Sequence, residues 1–465
     1  MTTVAPPLVP VKHRHPRGLP VLFLTEMWER FSFYCMLGIL TLYMSDPKHG
    51  LGFTTDQVAQ VYGWYIGLVY FSPLLGGWIA DKALGFGRAI LVGAVFMGAG
   101  HFLLAFPPLP TFYAGLACLV IGNGFFKPNI SVLLGNLYHD MPEKRDDAYN
   151  IFYMGINLGA FIAPLVAAYL RNRYGWHYAF GAAGVGMIIS LIIFTVFRKY
   201  TVAGEADVRN KDVNRRPDIV LTKEQEKRRI GALLLVFAIV IVFWMAFQQN
   251  GFTLNFWARD ATDASNMPTW MRENPEDSAT SADTPPVPRM AAELTQSINP
   301  AFVLLFTPLL VGFWMMLRRR GKEPSTAAKI GFGMLLTAVA YTIMVCAGLV
   351  GGDTGRVSIG WLVSSYAVIT MGELMLSPMG LSLVNKLAPA RMRGLLMGGW
   401  FAATAIGNKL SGVVGSLWDD MPHSSFFLIM VIASLIAAAI LFLLIHKVRG
   451  TIQDAEQMAL DHAVK

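Results

Sequence analysis

The chain has 465 residues, 54% of them hydrophobic and only 15% charged, with a mean hydropathy of +0.47. That is too apolar for a soluble protein of this length. Its 38 basic and 30 acidic residues give a formal charge of +8, a value that the membrane topology below accounts for without nucleic-acid binding.

The first seventeen residues, with Pro6, Pro7, Pro10, Lys12, Arg14 and Arg17, read as a short basic tail. The apolar run after them is too long for a signal-peptide core and has no small-residue cleavage site, so an uncleaved first span is expected. A span needs about 20 apolar residues. On that measure the chain holds twelve, near 18–45, 57–81, 87–106, 111–137, 148–171 and 176–198, then 230–258, 297–319, 327–350, 357–385, 393–418 and 424–447.

The first span carries Glu26, Glu29 and Arg30, whose spacings of three and four put them on one helix face. Each charge at bilayer depth costs on the order of 2.5–3.5 kcal/mol, so the cluster must face protein or a water-filled path. Such a cluster points to transport; an ion pair that merely locks two helices is the alternative. Lys127 and Lys409 also lie within spans. Lys409 either joins the charged network or snorkels along the bundle.

With both termini placed in the cytoplasm and basic residues at span ends counted with the segment they adjoin, 28 Lys and Arg fall on cytoplasmic segments and 7 on the outside, the remainder being Arg30, Lys127 and Lys409. That bias predicts cytoplasmic termini. Expected segments are a tail over 1–17, a six-span bundle over 18–198, a basic linker over 199–229, a second bundle over 230–447 and a tail over 448–465. Thr222 followed by Gln225 predicts a capping box at the end of the linker. The outside segment 259–296 has seven acidic residues against three Arg. It reads either as a solvated loop or as a cover over the external entrance. Cys35, Cys118 and Cys346 fall in apolar segments and are expected to be buried core residues, not a disulfide or metal set. The Asn129–Ser131 sequon should be inert within a span. Gly181, Gly184 and Gly186 suit close helix packing better than dinucleotide binding, since no strand precedes them.

Two six-span bundles joined by a basic loop form the layout of the major facilitator architecture. The turn Gly76-Gly77-Trp78-Ile79-Ala80-Asp81, followed by Gly85, Gly87 and Arg88, resembles that superfamily's signature, with Asp81 and Arg88 as gating residues. More specific motifs occur along both halves. The first span reads EMWERFSFY (Glu26 to Tyr34), the fourth GNGFFKPNIS around Lys127, and the fifth FYMGINLGAFIAP (Phe152 to Pro164). The eighth opens with Ile298-Asn299-Pro300, the tenth carries GELMLSPMGLS around Glu373, and the eleventh GGWFAATAIGN around Trp400. Six motifs in register resemble the proton-dependent oligopeptide transporter family.

The resemblance implies an all-α major facilitator fold of twelve transmembrane helices in two six-helix bundles. It also implies a proton-coupled symporter of di- and tripeptides; a facilitator for nitrate, an amino acid or a peptide-like drug is the alternative. A peptide zwitterion calls for a bipolar cavity. Arg30 and Lys127 supply cations from the amino-terminal half and Glu373 a carboxylate from the other. At about 4 Å and an effective dielectric near 20, each such contact is worth roughly 4 kcal/mol before desolvation. By the same resemblance Tyr34, Tyr70, Asn157, Trp244, Asn299, Ser377 and Trp400 belong to the peptide pocket, with amides for the backbone and aromatics as walls. Glu26, Glu29, Arg30, Lys127 and Glu373 are the candidate coupling groups, the proton being the coupling ion and no cofactor being expected. A monomer in a bacterial inner membrane is the expected setting, with peptides, protons and lipid as partners and no nucleic acid. An enzyme is not expected, because no nucleophile–base set, metal cluster or phosphate loop emerges. Three features depart from the family pattern. Phe33 replaces a usual tyrosine, Gln248 and Gln249 stand where many relatives have an acidic residue, and 199–229 is too short for the two extra helices of many bacterial members.

Overall fold

A computed structural model describes residues 14–139, 141, 144–205, 222–273, 288–352, 355–389 and 392–463. Among them are twelve long helices and no strand. The first six are α1 (Gly18–Ser45), α2 (Thr55–Ile79), α3 (Phe86–Leu104), α4 (Leu109–Leu137), α5 (Arg145–Tyr174) and α6 (Trp176–Val196). The second six are α7 (Lys223–Phe247), α8 (Ile298–Arg319), α9 (Thr326–Gly351), α10 (Ile359–Leu387), α11 (Arg393–Gly415) and α12 (His423–Ala463). Ten helices are long and apolar enough to cross a membrane. Of the twelve, only α1 and α11 fall short, α1 because it carries Glu26, Glu29 and Arg30.

In the first bundle α1 packs on α5 and α6, and α3 on α4; in the second, α9 packs on α10 and α12. The two meet along α2–α11 and α5–α8. Where α2 crosses α11, a Cβ on Gly412 would lie 2.3 Å from the Ala59 carbonyl oxygen and 2.8 Å from Gly63 Cα. Only glycine permits that approach. Gly184 and Gly186 likewise lie against Phe102 and Phe31, while Gly181 faces open space.

Local chemistry sets the element ends. Thr54 with Gln57 and Thr222 with Gln225 each form a full capping box, so the latter expectation holds. After α2 the chain takes a π turn over Ala80–Leu84, closed by Gly85 at φ +75°, a value that disfavours a side chain. Between α8 and α9, Glu323 accepts from Arg318 and Lys329 at 2.6 and 2.7 Å, and these hydrogen bonds hold its carboxyl at about 2.

Several expectations change. The seventh span is not one helix: α7 stops at Phe247, a 3-10 turn runs Gln248–Gly251, and a short helix follows over Thr253–Asp260. The described flanks of segment 259–296 are only partly solvated: Asp263, Ser265, Asn266 and Pro268 to Trp270 are exposed. Ala261, Thr262, Ala264 and Met290 to Leu294 are buried, and isolated bridges tie Thr262 to Val357 and Arg272 to Met290. Residues 274–287 of that segment, 206–221 of the linker and 1–13 of the tail lie outside the described residues. Cys35 is buried, but Cys118 is half-buried and Cys346 exposed. Apolar composition cannot tell a lipid-facing position from a core one. The last helix continues past residue 447 to Ala463.

Candidate functional site

On α1, Glu26, Glu29 and Arg30 are all buried, at 3%, 0% and 4% exposure. Arg30 Nη2 donates to Glu29 Oε1 at 2.7 Å, and its Nε pairs with the other Glu29 oxygen. The same Nε lies 3.2 Å from Glu26 Oε1, while Glu26 Oε2 has no hydrogen-bond partner. One guanidinium thus serves two buried carboxyl groups. Phe33, the departure from the family tyrosine, places its ring under the Arg30 guanidinium at 5.2 Å.

Lys127 projects from α4 over the Tyr70 ring, 4.2 Å from its centroid. Among the described residues no carboxylate lies within 4 Å of its ammonium. Tyr70 faces Trp244 across the seam, with ring centroids 6.3 Å apart. Trp244 is wedged edge-on against Phe243 and Phe247, each at 5.3 Å, and its buried indole N–H has no partner. On α10, Glu373 accepts from Asn299 Nδ2 at 2.9 Å; that amide also donates to Thr370 Oγ1 at 3.0 Å. Among the described residues no cation lies within 4 Å of Glu373.

Between these groups lies a cavity of about 100 Å³. Tyr34, Ile66 and Tyr70 line it from the first bundle; Trp244, Phe247, Asn299 and Glu373 line it from the second. Its polar roof comes from the broken ends of two helices. Gln248, Asn250 and Gln296 reach it from the 3-10 turns after α7 and before α8, with Tyr366 beside them. Tyr62 O–H donates to the Gln248 carbonyl at 3.1 Å and Thr41 to that of Gly251 at 2.9 Å, so the roof binds to the first bundle. Broken helices expose backbone and amide groups where a polar solute must bind. Sequence reasoning missed Asn250, Gln296 and Tyr366; the polar run QQNG inside an apolar span was the available signal.

Other expected residues stand apart from the cavity lining. Asn157 is buried and donates to the Tyr153 carbonyl of its own helix at 2.9 Å. Trp400 is buried against Phe237, and a Cβ on Gly380 would fall 1.8 Å from its ring, which makes it a packing element here. Ser377, one turn beyond Glu373, has a buried hydroxyl with no partner. Gln249 is committed to structure, donating to the Ser411 carbonyl and accepting from Thr253, both at 2.9 Å. Among the described residues Lys409 joins no carboxylate: it reaches across the seam from α11 to Gln60 Oε1 at 3.4 Å and over the Trp64 ring at 4.7 Å. Asp81, on the turn after α2, and Arg88, in the first turn of α3, are exposed, and neither forms an ion pair among the described residues.

The profile of the POT family matches residues 87–201 and 289–456. The chain is 33% identical to the peptide transporter YePEPT of Yersinia enterocolitica over 95% of its own length and 96% of that protein. It is 31% identical to a di-/tripeptide transporter of Lactococcus lactis, over 92% of this chain and 95% of the relative. Among solved structures it resembles a variant of the peptide transporter POT in complex with alafosfalin, at a TM-score of 0.81 and 30% identity, over 95% of this chain and 96% of that one.

Proposed function

Since the chain belongs to the POT family, we propose that it is a proton-coupled symporter that imports di- and tripeptides by alternating access. The observation that carries this reading is the pair of opposite, unpaired charges beside one cavity. Among the described residues, Glu373 stands on the second bundle without a cation, and Lys127 stands behind Tyr70 on the first without a carboxylate. A zwitterion laid between them satisfies both, its ammonium toward Glu373 and its carboxylate toward Lys127 and Arg30. Side-chain amides of Gln248 and Asn250 suit the peptide bond, because each offers a donor and an acceptor, while Asn299 and Gln296, whose N–H groups are already committed, offer carbonyl oxygens. Aromatic walls at Tyr34, Tyr70 and Trp244 accept varied side chains without demanding one. The names borne by the similar Yersinia and Lactococcus proteins point the same way.

Coupling follows from charge sharing. When a peptide carboxylate draws Arg30 or Lys127, Glu26 and Glu29 lose part of their compensation and bind a proton more readily. Peptide and proton affinity are then linked reciprocally. In this reading the termini are cytoplasmic, the membrane is a bacterial inner membrane, the protein works as a monomer, and the proton is its only coupling ion. Asn157, Ser377 and Trp400 support the pocket from behind, and Asp81 and Arg88 pair when the cytoplasmic side closes.

The test uses proteoliposomes with an acid-outside gradient. Labelled dipeptide should accumulate above its external concentration, and an unlabelled tripeptide should compete, whereas single amino acids and nitrate should not. Accumulation blocked by nitrate or by one amino acid, with no response to peptides, would assign the cavity to that cargo.

A further inference from the structure

Lys409 takes no part in the cavity. It lies about 9 Å of helix short of the α11 end at Gly415. Its root is fixed against α2. A Cβ on Gly67 would meet Lys409 Cβ at 3.3 Å, and one on Gly63 would meet the Lys409 carbonyl oxygen at 3.0 Å. From that root the side chain crosses the seam, where its ammonium donates to Gln60 Oε1 at 3.4 Å and covers the Trp64 ring at 4.7 Å. Gln60 and Trp64 are one helical turn apart and share a face of α2. An aromatic ring and a neutral amide leave the charge uncancelled inside a span. Among the described residues no carboxylate lies within 4 Å of it.

The face that carries Gln60 and Trp64 is also one wall of an open trough between α2 and α4, about 430 Å³ in volume. Val61, Trp64 and Leu68 line it from α2; Leu116, Val120 and Ile121 line it from α4. Trp64, Leu68 and Ile121 are exposed, so the trough opens sideways, on a face that a membrane bundle turns to lipid. Gln60 stands at its mouth, on the side of the Thr55 end of α2, which is remote from the chain termini. From Gln60 to Leu68 the lining runs about 12 Å toward the middle of the helix. A cation at the mouth with an apolar trough leading inward matches a phospholipid, phosphate first and chain beneath. Gln60 uses its oxygen on the ammonium, which leaves its amide N–H groups to donate to a phosphate oxygen. A zwitterionic headgroup brings its own cation to the phosphate, whereas phosphatidylglycerol leaves its negative charge for Lys409.

We propose that Lys409, Gln60 and the α2–α4 trough bind one anionic phospholipid of the leaflet remote from the chain termini. Its phosphate sits on the Lys409 ammonium and the Gln60 amide, and one acyl chain lies along Trp64, Leu68 and Ile121. The headgroup is held by the second bundle and the chain by the first, so the lipid bridges the seam beside the Gly63–Gly412 crossing. The site goes beyond the transport reading and is independent of the cargo.

Trp64 serves as the reporter. The full-length protein is reconstituted in phosphatidylcholine vesicles containing a rising share of chain-brominated phosphatidylglycerol or, separately, chain-brominated phosphatidylcholine. Bromine quenches indoles that the chain touches, and subtracting the same titration of Trp64→Phe isolates the Trp64 signal. Half-quenching should need about fivefold less phosphatidylglycerol than phosphatidylcholine, the preference expected of one lysine beside an anionic headgroup. Lys409→Gln, measured with its own Trp64→Phe partner, should lose that preference, and Lys409→Arg should keep it. Removing a charge from a span lowers an insertion cost, so the Gln variant should fold. Ala117→Leu fills the trough from α4 with Lys409 intact and should also lose the preference. Added inorganic phosphate, which has no chain, should leave the quenching unchanged. Equal quenching by the two lipids in the wild type would overturn the proposal, as would an undiminished preference in Lys409→Gln. A preference that survives in Ala117→Leu, or one that inorganic phosphate abolishes, would overturn it too, because the lipid would then be held by charge alone.

Discussion

Glu29→Gln is expected to reduce acid-driven peptide uptake by about tenfold or more while leaving counterflow exchange of labelled peptide within about twofold. Exchange cycles the loaded carrier and needs no net proton movement, so a coupling carboxylate can be lost without stopping it. The geometry makes the variant tolerable. Breaking a buried ion pair usually costs about 3–5 kcal/mol because one charge is stranded. Here Arg30 still has Glu26 within 3.2 Å, so the remaining pair is neutral. Parallel uptake and counterflow measurements on one proteoliposome preparation decide the matter. Equal losses in both would make Glu29 a structural partner of Arg30.

Glu373→Gln is expected to weaken binding of a free dipeptide and to erase most of the distinction between free and N-acetylated forms. In the wild type, acetylation removes the ammonium and should cost at least ~1.4 kcal/mol, about tenfold in affinity. The Asn299 amide donates to both Glu373 and Thr370, which anchors a carboxylate that lines the cavity without neutralising it. A carboxylate held this way is a receptor for an incoming cation. The double cycle removes the ammonium and its partner separately and together, so general damage from the substitution cancels. Calorimetric or thermal-shift titration of both ligands against both proteins supplies the four values. An undiminished acetylation penalty in the Gln variant would place the ammonium elsewhere.

The sequence carried the array and its chemistry unevenly. Hydropathy located every long helix, and α1 was recognisable even though its three charges leave it short of an apolar span. The capping box at Thr222 and Gln225 was legible because it depends on four consecutive residues. Glu373 and Asn299 were each identifiable from a motif, but their hydrogen bond joins residues 74 positions apart and has no local signature. The same limit hid the roof. Gln296 and Asn250 become cavity residues only because α7 breaks and the turn before α8 folds over it. Segment 259–296 looked solvated by composition, and Asp263, Ser265, Asn266 and Pro268 to Trp270 are exposed, yet a few apolar positions such as Met290 and Leu294 are buried and suffice to anchor a polar stretch. Trp400 shows the converse: its motif suggested a cavity wall, and its ring instead fills the space above Gly380.

The glycine crossing of α2 and α11 has a mechanical consequence. At Gly63 and Gly412 backbone meets backbone with no side chain between them, so this point of the seam has no compressible layer. Two rigid bodies touching there can tilt about the contact but cannot slide or approach further. The crossing is thus a fulcrum, and widening one mouth of the cavity narrows the other by leverage. Gly412→Val would insert a wedge at the pivot. It should lower peptide exchange and proton-driven uptake together, by about tenfold or more if the added bulk costs more than ~1.4 kcal/mol. That equal loss in the two assays separates a jammed bearing from a severed proton link.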